Sequence, residues 1–302
     1  MDESVSIIIP TYNNEVSIKN LIPDLFEKFQ NYVIEIIVIN DGSFDQTEIV
    51  LNKLSERYKN LVFIQLEQNC GEQNSVLAGL YYVKNNFVII MDDDYQHTPD
   101  AAMELFIECK TKGADLVYAN YRNKKHSQIR NLGSFVFNKI MLFNNSNSDL
   151  KYLASFKCFK TILLQSLLEK KDKFFNIDTT LMRITNNISN IPLPHNERKY
   201  GKSNYNFSKL FNLFLRSIIY RYEKITAIIN FFLISLIIVL IYYISRIIYK
   251  NILNVDFPPG YSTVVIFLAF ISMMTIIQFI MTLSNMILKN KPIKIKYVIQ
   301  KR

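Results

Sequence analysis

The chain of 302 residues has no tryptophan, seven glycines, three histidines and three cysteines. Its glycines form no G-x-G-x-x-G, which excludes the fingerprint of a dinucleotide-binding oxidoreductase. A Walker loop is excluded too. Gly201-Lys202-Ser203 mimics its end, but Asn196 stands where the first glycine must be, and no strand leads in. So few histidines leave no His-rich metal site. Cys70, Cys109 and Cys158 are far apart and form no C-x-x-C pair. Neither a zinc nor a disulfide framework is expected, and a reducing compartment fits. Met1-Asp2-Glu3 leads into the short apolar run Val5–Pro10, without the basic lead and length of a secretory leader. That run reads as a buried strand.

What the chain does have is basic charge and two long apolar runs. Lys and Arg number 35 against 26 Asp and Glu. Such a balance suits anionic partners: nucleic acid, anionic lipid or phosphorylated substrates. Residues 225–245 and 257–288 carry no charge. At about 1.5 Å per residue, each can cross a hydrocarbon core of about 30 Å. Between them lie Arg246, Lys250, Asp256 and the turn Pro258-Pro259-Gly260. Arg216, Arg221 and Lys224 precede the first run; Lys289, Lys291, Lys294, Lys296, Lys301 and Arg302 follow the second. Cations at both outer ends predict that both termini face the cytosol. Their clustering near apolar runs favours membrane lipid as partner over nucleic acid.

The first 120 residues alternate in period. Val5–Ile9, Ile34–Ile39, Leu61–Leu66, Phe87–Met91 and Asp115–Ala119 read as strands. Helical spacing covers Glu15–Lys28, Asp45–Tyr58, Gly71–Lys84 and Asp100–Lys112, the last introduced by a Thr98 cap and Pro99. Continuous apolar strands alternating with helices predict an α/β fold, a mainly parallel sheet with helices on both faces. Beyond residue 121 the pattern loosens. A helix is expected around Gln128–Phe143, a strand at Ser155–Phe159 and a helix at Ile162–Lys170. An amphipathic helix at the membrane surface is expected over Phe207–Tyr222.

Ligands of such sheets bind beyond the carboxyl ends of the strands. Four polar segments lie there: Pro10–Glu15, Asn40–Thr47, Gln68–Asn74 and Asp92–Pro99. The strongest signal is Met91-Asp92-Asp93-Asp94-Tyr95-Gln96. Three adjacent carboxylates repel and require a cation or full solvation. Asp92 and Asp94 can turn toward one ion, with Asp93 directed elsewhere. Oxygen ligation suits Mg²⁺ or Mn²⁺, which also take diphosphate oxygens. Asp41, at the end of the second strand, is placed to accept hydrogen bonds from a base or ribose. Pro10-Thr11-Tyr12-Asn13 could wall a nucleoside pocket.

Ser-Ile-Ile-Ile-Pro-Thr-Tyr-Asn at 6–13, Asn-Asp-Gly-Ser-x-Asp-x-Thr at 40–47, Asn-x-Gly-x-x-x-Ser-x-x-x-Gly at 69–79 and Asp-Asp-Asp-x-Gln at 92–96 together resemble glycosyltransferase family 2. His195–Tyr205, ahead of the apolar runs, resembles the Arg-x-x-Gly-x-Ser segment of its polyprenyl-phosphate glycosyltransferases, the dolichol-phosphate mannose synthase, bactoprenol glucosyltransferase and aminoarabinose transferase kinds. The resemblance implies a GT-A type, Rossmann-like catalytic domain over 1–205. A juxtamembrane helix at 206–224, two transmembrane helices within 225–290 (225–248 and 262–288) and a basic tail at 291–302 would follow.

By position, the resemblance assigns Asp92, Asp94 and Gln96 to the metal and diphosphate site. It assigns Asp41, Pro10, Tyr12 and Glu15 to the nucleoside pocket, with Asn69, Gly71 and Asp93 beside the donor. Arg122, Arg130 and Ser134 match acceptor-phosphate contacts, and Arg198 and Lys202 basic groups closing over the phosphates. Asp149 and Lys157 are looser candidates, and Glu72 departs from the pattern.

The implied activity is inverting transfer of a sugar from a nucleotide-sugar, UDP-sugar the better guess, to polyprenyl (undecaprenyl) phosphate at the cytosolic face of a bacterial inner membrane. A homo-oligomer is also implied. Two readings compete. One is transfer to a sugar hydroxyl in polysaccharide or glycolipid synthesis, although processive synthases typically carry Gln-x-x-Arg-Trp and this chain has no tryptophan. The other is an inactive membrane scaffold, which the intact acidic cluster opposes.

Overall fold

The computed structural model describes residues 4–121, 154–169, 177–193, 223–253, 260–288 and 293–300. The chain divides into two compact units, Met1–Leu210 with Lys291–Arg302, and Phe211–Asn290.

In the first unit the strands are β1 Ser4–Thr11, β2 Val33–Asn40, β3 Leu61–Leu66, β4 Phe87–Ile90, β5 Leu116–Tyr121, β6 Lys157–Lys160, β7 Ile188–Leu193 and β8 Ile295–Ile299. The helices are α1 Glu15–Lys28, α2 Thr47–Arg57, α3 Glu72–Leu80, α4 Pro99–Thr111, α5 Leu164–Glu169 and α6 Ile177–Ile184. One eight-stranded sheet runs in the order β7-β5-β6-β4-β1-β2-β3-β8. Pairing is parallel for β1 with β2 and β4, β2 with β3, and β5 with β7. It is antiparallel for β6 with β4 and β5, and for β8 with β3.

The alternation of side chains along these strands builds two cores, one per face. Ile7, Ile9, Ile36 and Val38 point to one, where Ile18, Leu21 and Leu25 of α1, Leu51 of α2 and Phe106 of α4 close over them. Ile8, Ile37 and Ile39 point to the other, beneath Val76 of α3, Leu167 of α5 and Leu181 of α6. Helices on both faces are as expected, but the sheet is mixed rather than mainly parallel: four pairings are parallel and three antiparallel, because β6 and β8 enter it reversed. At α4 the Thr98 side chain accepts from the Ala101 N–H at 3.2 Å, with Pro99 opening the helix. The helix expected from Gly71 begins one residue later, because Gly71 holds φ 92° and ψ 154°.

Three elements depart from the expectation. Residues 177–184 and 188–193, unassigned from sequence, form α6 and β7. The segment expected to be only a basic tail forms β8 instead. There the Glu67 N–H donates to the Lys294 carbonyl at 2.9 Å, and the Tyr297 hydroxyl donates to Glu48 Oε1 at 2.6 Å. The Tyr297 ring meets Phe63 edge-on at 5.7 Å. The alternation Ile293-Lys294-Ile295-Lys296-Tyr297 leads into β8 with a strand period.

The second unit contains α7 Glu223–Ile252 and α8 Tyr261–Leu288, of 30 and 28 residues. Large apolar side chains stand exposed along both, among them Phe231, Ile238, Tyr249 and Ile266. Side chains at 223–230, 232, 233, 240, 251, 261, 262 and 280–288 are outside the described residues. Among the described residues alone, which leave out parts of both apolar runs, no helix is long and apolar enough to cross a membrane. The helices expected at Gln128–Phe143 and Phe207–Tyr222 also lie outside the described residues.

Candidate active site

Strands β1 to β4 run parallel, so the loops at 10–15, 40–47, 68–74 and 92–98 leave one edge of the sheet, as the sequence implied. A hydrogen-bond network joins all four. The Asp41 carboxylate, 4% exposed, accepts from the Cys70 N–H at 2.7 Å and the Gly71 N–H at 2.9 Å. It therefore ties the end of β2 to the loop before α3. This carboxylate reads as a nucleoside ligand from sequence; in the structure it also anchors the loop carrying Asn69 and Gly71. Cys70 beside it has its thiol pushed up to about 12, by burial first and then by the Asp41 charge.

Gly42 makes this junction possible. Its φ of +66° lies in the left-handed region, and a Cβ there would stand 2.7 Å from Asn69 N. Gly42→Ala is therefore expected to destabilise the protein by about 2 kcal/mol or more, from the left-handed backbone plus the overlap. Denaturant unfolding of the full chain measures this; an unchanged midpoint would contradict the tight junction.

The β1 loop is fastened to the loop that leads into α2. Asn13 holds φ 53°, its N–H donates to Ser43 Oγ at 2.9 Å, and its Oδ1 accepts from the Phe44 N–H at 2.8 Å. Glu15, expected in the nucleoside pocket, accepts from the Gln46 N–H at 2.8 Å through Oε2. It thus serves the start of α2. Pro10 and Tyr12 are half-buried, and Tyr12 meets Phe44 edge-on at 6.4 Å.

The acidic turn follows β4. Asp93 faces β1: its Oδ2 accepts from Thr11 Oγ1, and its carbonyl accepts from Asn14 Nδ2 and Ser17 Oγ. Burial pushes the Asp93 carboxyl up to about 7, against the lowering hydrogen bonds of Thr11 and Asn14, and the charges of Asp92 and Asp94 add to the rise. Asp94 is 3% exposed, and its Oδ1 accepts from the Gln96 N–H at 3.0 Å. Gln96 is thus tied to Asp94 through its backbone. Tyr95 between them holds φ 59°, and its hydroxyl donates to Asp24 Oδ2 at 2.6 Å. That contact fixes a turn which a bulky residue rarely adopts.

Asp92 is half-buried, and its Oδ2 accepts from Ser155 Oγ at 2.9 Å. His97 Nε2 stands 3.6 Å from the same oxygen, and its ring stacks on Phe156 at 4.3 Å. Sequence reasoning assigns His97 no role and misses Thr11, Asn14, Ser17 and Ser155 as partners of the acidic turn. For Ser155 the pairing of β6 beside β4 supplies the contact, and no local pattern signals it.

Lys157, a candidate for substrate, is 2% exposed and salt-bridged to Asp178. Its ammonium lies 5.6 Å from the Tyr118 ring centre, and the Tyr118 hydroxyl donates to Asp178 Oδ1 at 2.9 Å. In this structure it serves the core. Arg122, Arg130, Ser134, Asp149, Arg198 and Lys202 lie outside the described residues.

Among the described residues no cluster of three or more His, Cys, Asp or Glu side chains is gathered for a metal ion. Asp92 and Asp94 nevertheless fit a Mg²⁺- or Mn²⁺-type site. Such ions are commonly held by one or two carboxylates together with substrate phosphates.

Comparison with known proteins places the chain in a family. The family described as Glycosyl transferase family 2 matches residues 6–172. The undecaprenyl-phosphate 4-deoxy-4-formamido-L-arabinose transferase of Edwardsiella ictaluri is 26% identical over 212 residues, 69% of this chain and 65% of that protein. The chain thus spans less than two thirds of that relative. CsbB of Bacillus subtilis, which carries a glycosyltransferase name, is 30% identical over 266 residues, 86% of this chain and 80% of that protein. Among solved structures, glucosyl-3-phosphoglycerate synthase from Mycobacterium tuberculosis, in complex with Mn²⁺, UDP and phosphoglyceric acid, matches with a TM-score of 0.55 at 18% identity, covering 72% of this chain and 76% of that one. That likeness concerns the fold. With a family match over more than half its length, this chain belongs to glycosyltransferase family 2.

Proposed function

We propose that the protein transfers a sugar from a nucleotide-sugar, a UDP-sugar the first candidate, to a polyprenyl phosphate, with inversion at the anomeric carbon. The observation that carries the reading is the acidic turn at the end of β4, bonded to the β1 loop at the same sheet edge as the Asp41 and Tyr12 loops. The names of the formamidoarabinose transferases support undecaprenyl phosphate as acceptor. Fold relatives in complex with Mn²⁺ or Mg²⁺ and UDP support the donor and cation.

Asp92 and Asp94 would hold a divalent cation, which supplies charge neutralisation at a departing diphosphate. Asp41, Tyr12 and the 69–71 loop would hold the nucleoside. The acceptor requires no dedicated base, because a phosphate monoester has its second pKa near about 6 and is already a nucleophile at neutral pH. Its oxygen bonds to the anomeric carbon as the bond to the diphosphate oxygen breaks, and the diphosphate leaves with that electron pair. The protein's task is then alignment of two anions. Arg122, Arg130, Ser134, Arg198 and Lys202 are proposed for the acceptor side on sequence alone.

We further propose that α7 and α8 span a membrane. Residues 225–245 and 257–288 carry no charge. Helices of 30 and 28 residues reach about 45 and 42 Å at 1.5 Å per residue. Isolated exposed apolar side chains are ordinary, but rows of them along long helices suit lipid. The chain leaves the first unit near 210 and rejoins it at 291, and β8 pairs with β3. An even number of crossings follows, which supports both termini on the side of the catalytic unit.

The test is turnover by the purified full chain with undecaprenyl phosphate and a panel of nucleotide-sugars, with and without Mg²⁺ or Mn²⁺. Cation-dependent glycolipid is expected with one donor. No cation-dependent product from any donor would overturn the reading.

A further inference from the structure

Phe44, in the loop between β2 and α2, is 88% exposed. An exposed phenyl ring forgoes the roughly 1.5–3 kcal/mol that burial provides, and here the loop is built to keep it out. Phe44 donates its N–H to Asn13 Oδ1 at 2.8 Å, and Asn13 donates its own to Ser43 Oγ at 2.9 Å from a left-handed backbone. Asn40 Oδ1 accepts from both the N–H and the hydroxyl of Ser43. On the far side Gln46 donates its N–H to Glu15, and Thr47 is bonded to Asp45. The ring therefore sits on a fastened tip, edge-on to Tyr12 at 6.4 Å and 76°. Three residues earlier, Asp41 supplies a carboxylate that is 4% exposed. Two aromatic rings meeting at an angle, on the loops that follow β1 and β2 at the same sheet edge, suit a flat heteroaromatic group.

We propose that Phe44 contacts the base of the nucleotide-sugar, forming with Tyr12 an aromatic corner that contributes donor affinity and base selectivity. This deepens the proposed donor site and rests on that reading. The contact is to the base alone, so it acts on the nucleoside and leaves the diphosphate-binding groups unaffected.

The experiment measures calorimetric affinities of the full chain for UDP, GDP, CDP and ADP with Mn²⁺, and for pyrophosphate with Mn²⁺ as a probe without a base. Stacking of a base on an aromatic ring corresponds to about tenfold in affinity. Phe44→Ala is expected to weaken the best-bound nucleoside diphosphate by about that factor. Pyrophosphate affinity and the unfolding midpoint should stay unchanged, and Phe44→Tyr should restore nucleotide binding. Equal nucleotide affinity in wild type and Phe44→Ala overturns the proposal while leaving the donor site intact. An equal loss for pyrophosphate also overturns it. Absence of nucleotide binding by the wild type would overturn both this proposal and the donor reading.

Discussion

Replacing Asp94 by Asn is expected to reduce sugar transfer by more than a hundredfold while leaving the fold intact. Asp94 is 3% exposed, and its Oδ1 receives the Gln96 N–H. Asn keeps the volume and an oxygen acceptor for that bond, so the turn should persist. What disappears is one of the two charges proposed to hold the cation. Loss of an outer-shell partner of a metal ligand already costs about 10- to 100-fold in affinity or activity. Loss of a direct carboxylate ligand should cost more. The change also removes one of three mutually repelling groups, so the unfolding midpoint should hold or rise. Turnover and thermal unfolding on the same preparation separate these effects. Undiminished transfer by Asp94→Asn would remove the cation role from this turn.

The largest expected effect on stability is at Asp178. Its partner Lys157 is 2% exposed on β6, where it pairs with Ile90 of β4 and Tyr118 of β5. Asp178→Ala would leave a buried ammonium without its carboxylate, and would strip the Tyr118 hydroxyl of its acceptor. Breaking a buried pair in this way costs about 3–5 kcal/mol. Removing the whole set, as Lys157→Met with Asp178→Leu and Tyr118→Phe, should recover much of the loss, because a fully apolar replacement carries no stranded charge. Denaturant unfolding of the single and combined variants measures the coupling. A loss below about 1 kcal/mol for Asp178→Ala would mean the pair is solvated and dispensable. The pair also bears on the active site, since the segment entering β6 carries Ser155 to Asp92.

The parallel half of the fold was legible because its signals are local. Runs such as Ile34–Ile39 declare strands buried on both faces, and Thr98-Pro99 declares a helix start. The acidic turn was legible for the same reason: three consecutive carboxylates after an apolar strand have few other uses. The antiparallel strands were harder. Ser155–Phe159 was expected as a strand, but nothing local inserts β6 between β4 and β5. Ile295–Ile299 contains Lys296 and follows Lys291 and Lys294, and it reads as a charged tail until β3 supplies an edge. Lys157 illustrates the limit at the site. A lysine in a segment resembling a phosphate-binding region looks like a ligand, and only the arrival of α6 with Asp178 gives it another partner.

The sequence by itself determined the α/β class, the parallel order of strand and helix, the four loops at one sheet edge, the acidic turn and the two long apolar runs. These depend on period, charge and run length, which neighbours in the chain carry. Tertiary structure alone decided that Asp93 turns to Thr11, that Asp41 clamps the loop at Gly71, that His97 stacks on Phe156 beside Asp92, and that the chain's end returns as β8. Each of these joins residues about 29 to more than 200 positions apart. Such contacts arise from the sheet's register and from which face each strand presents, and no local pattern encodes them.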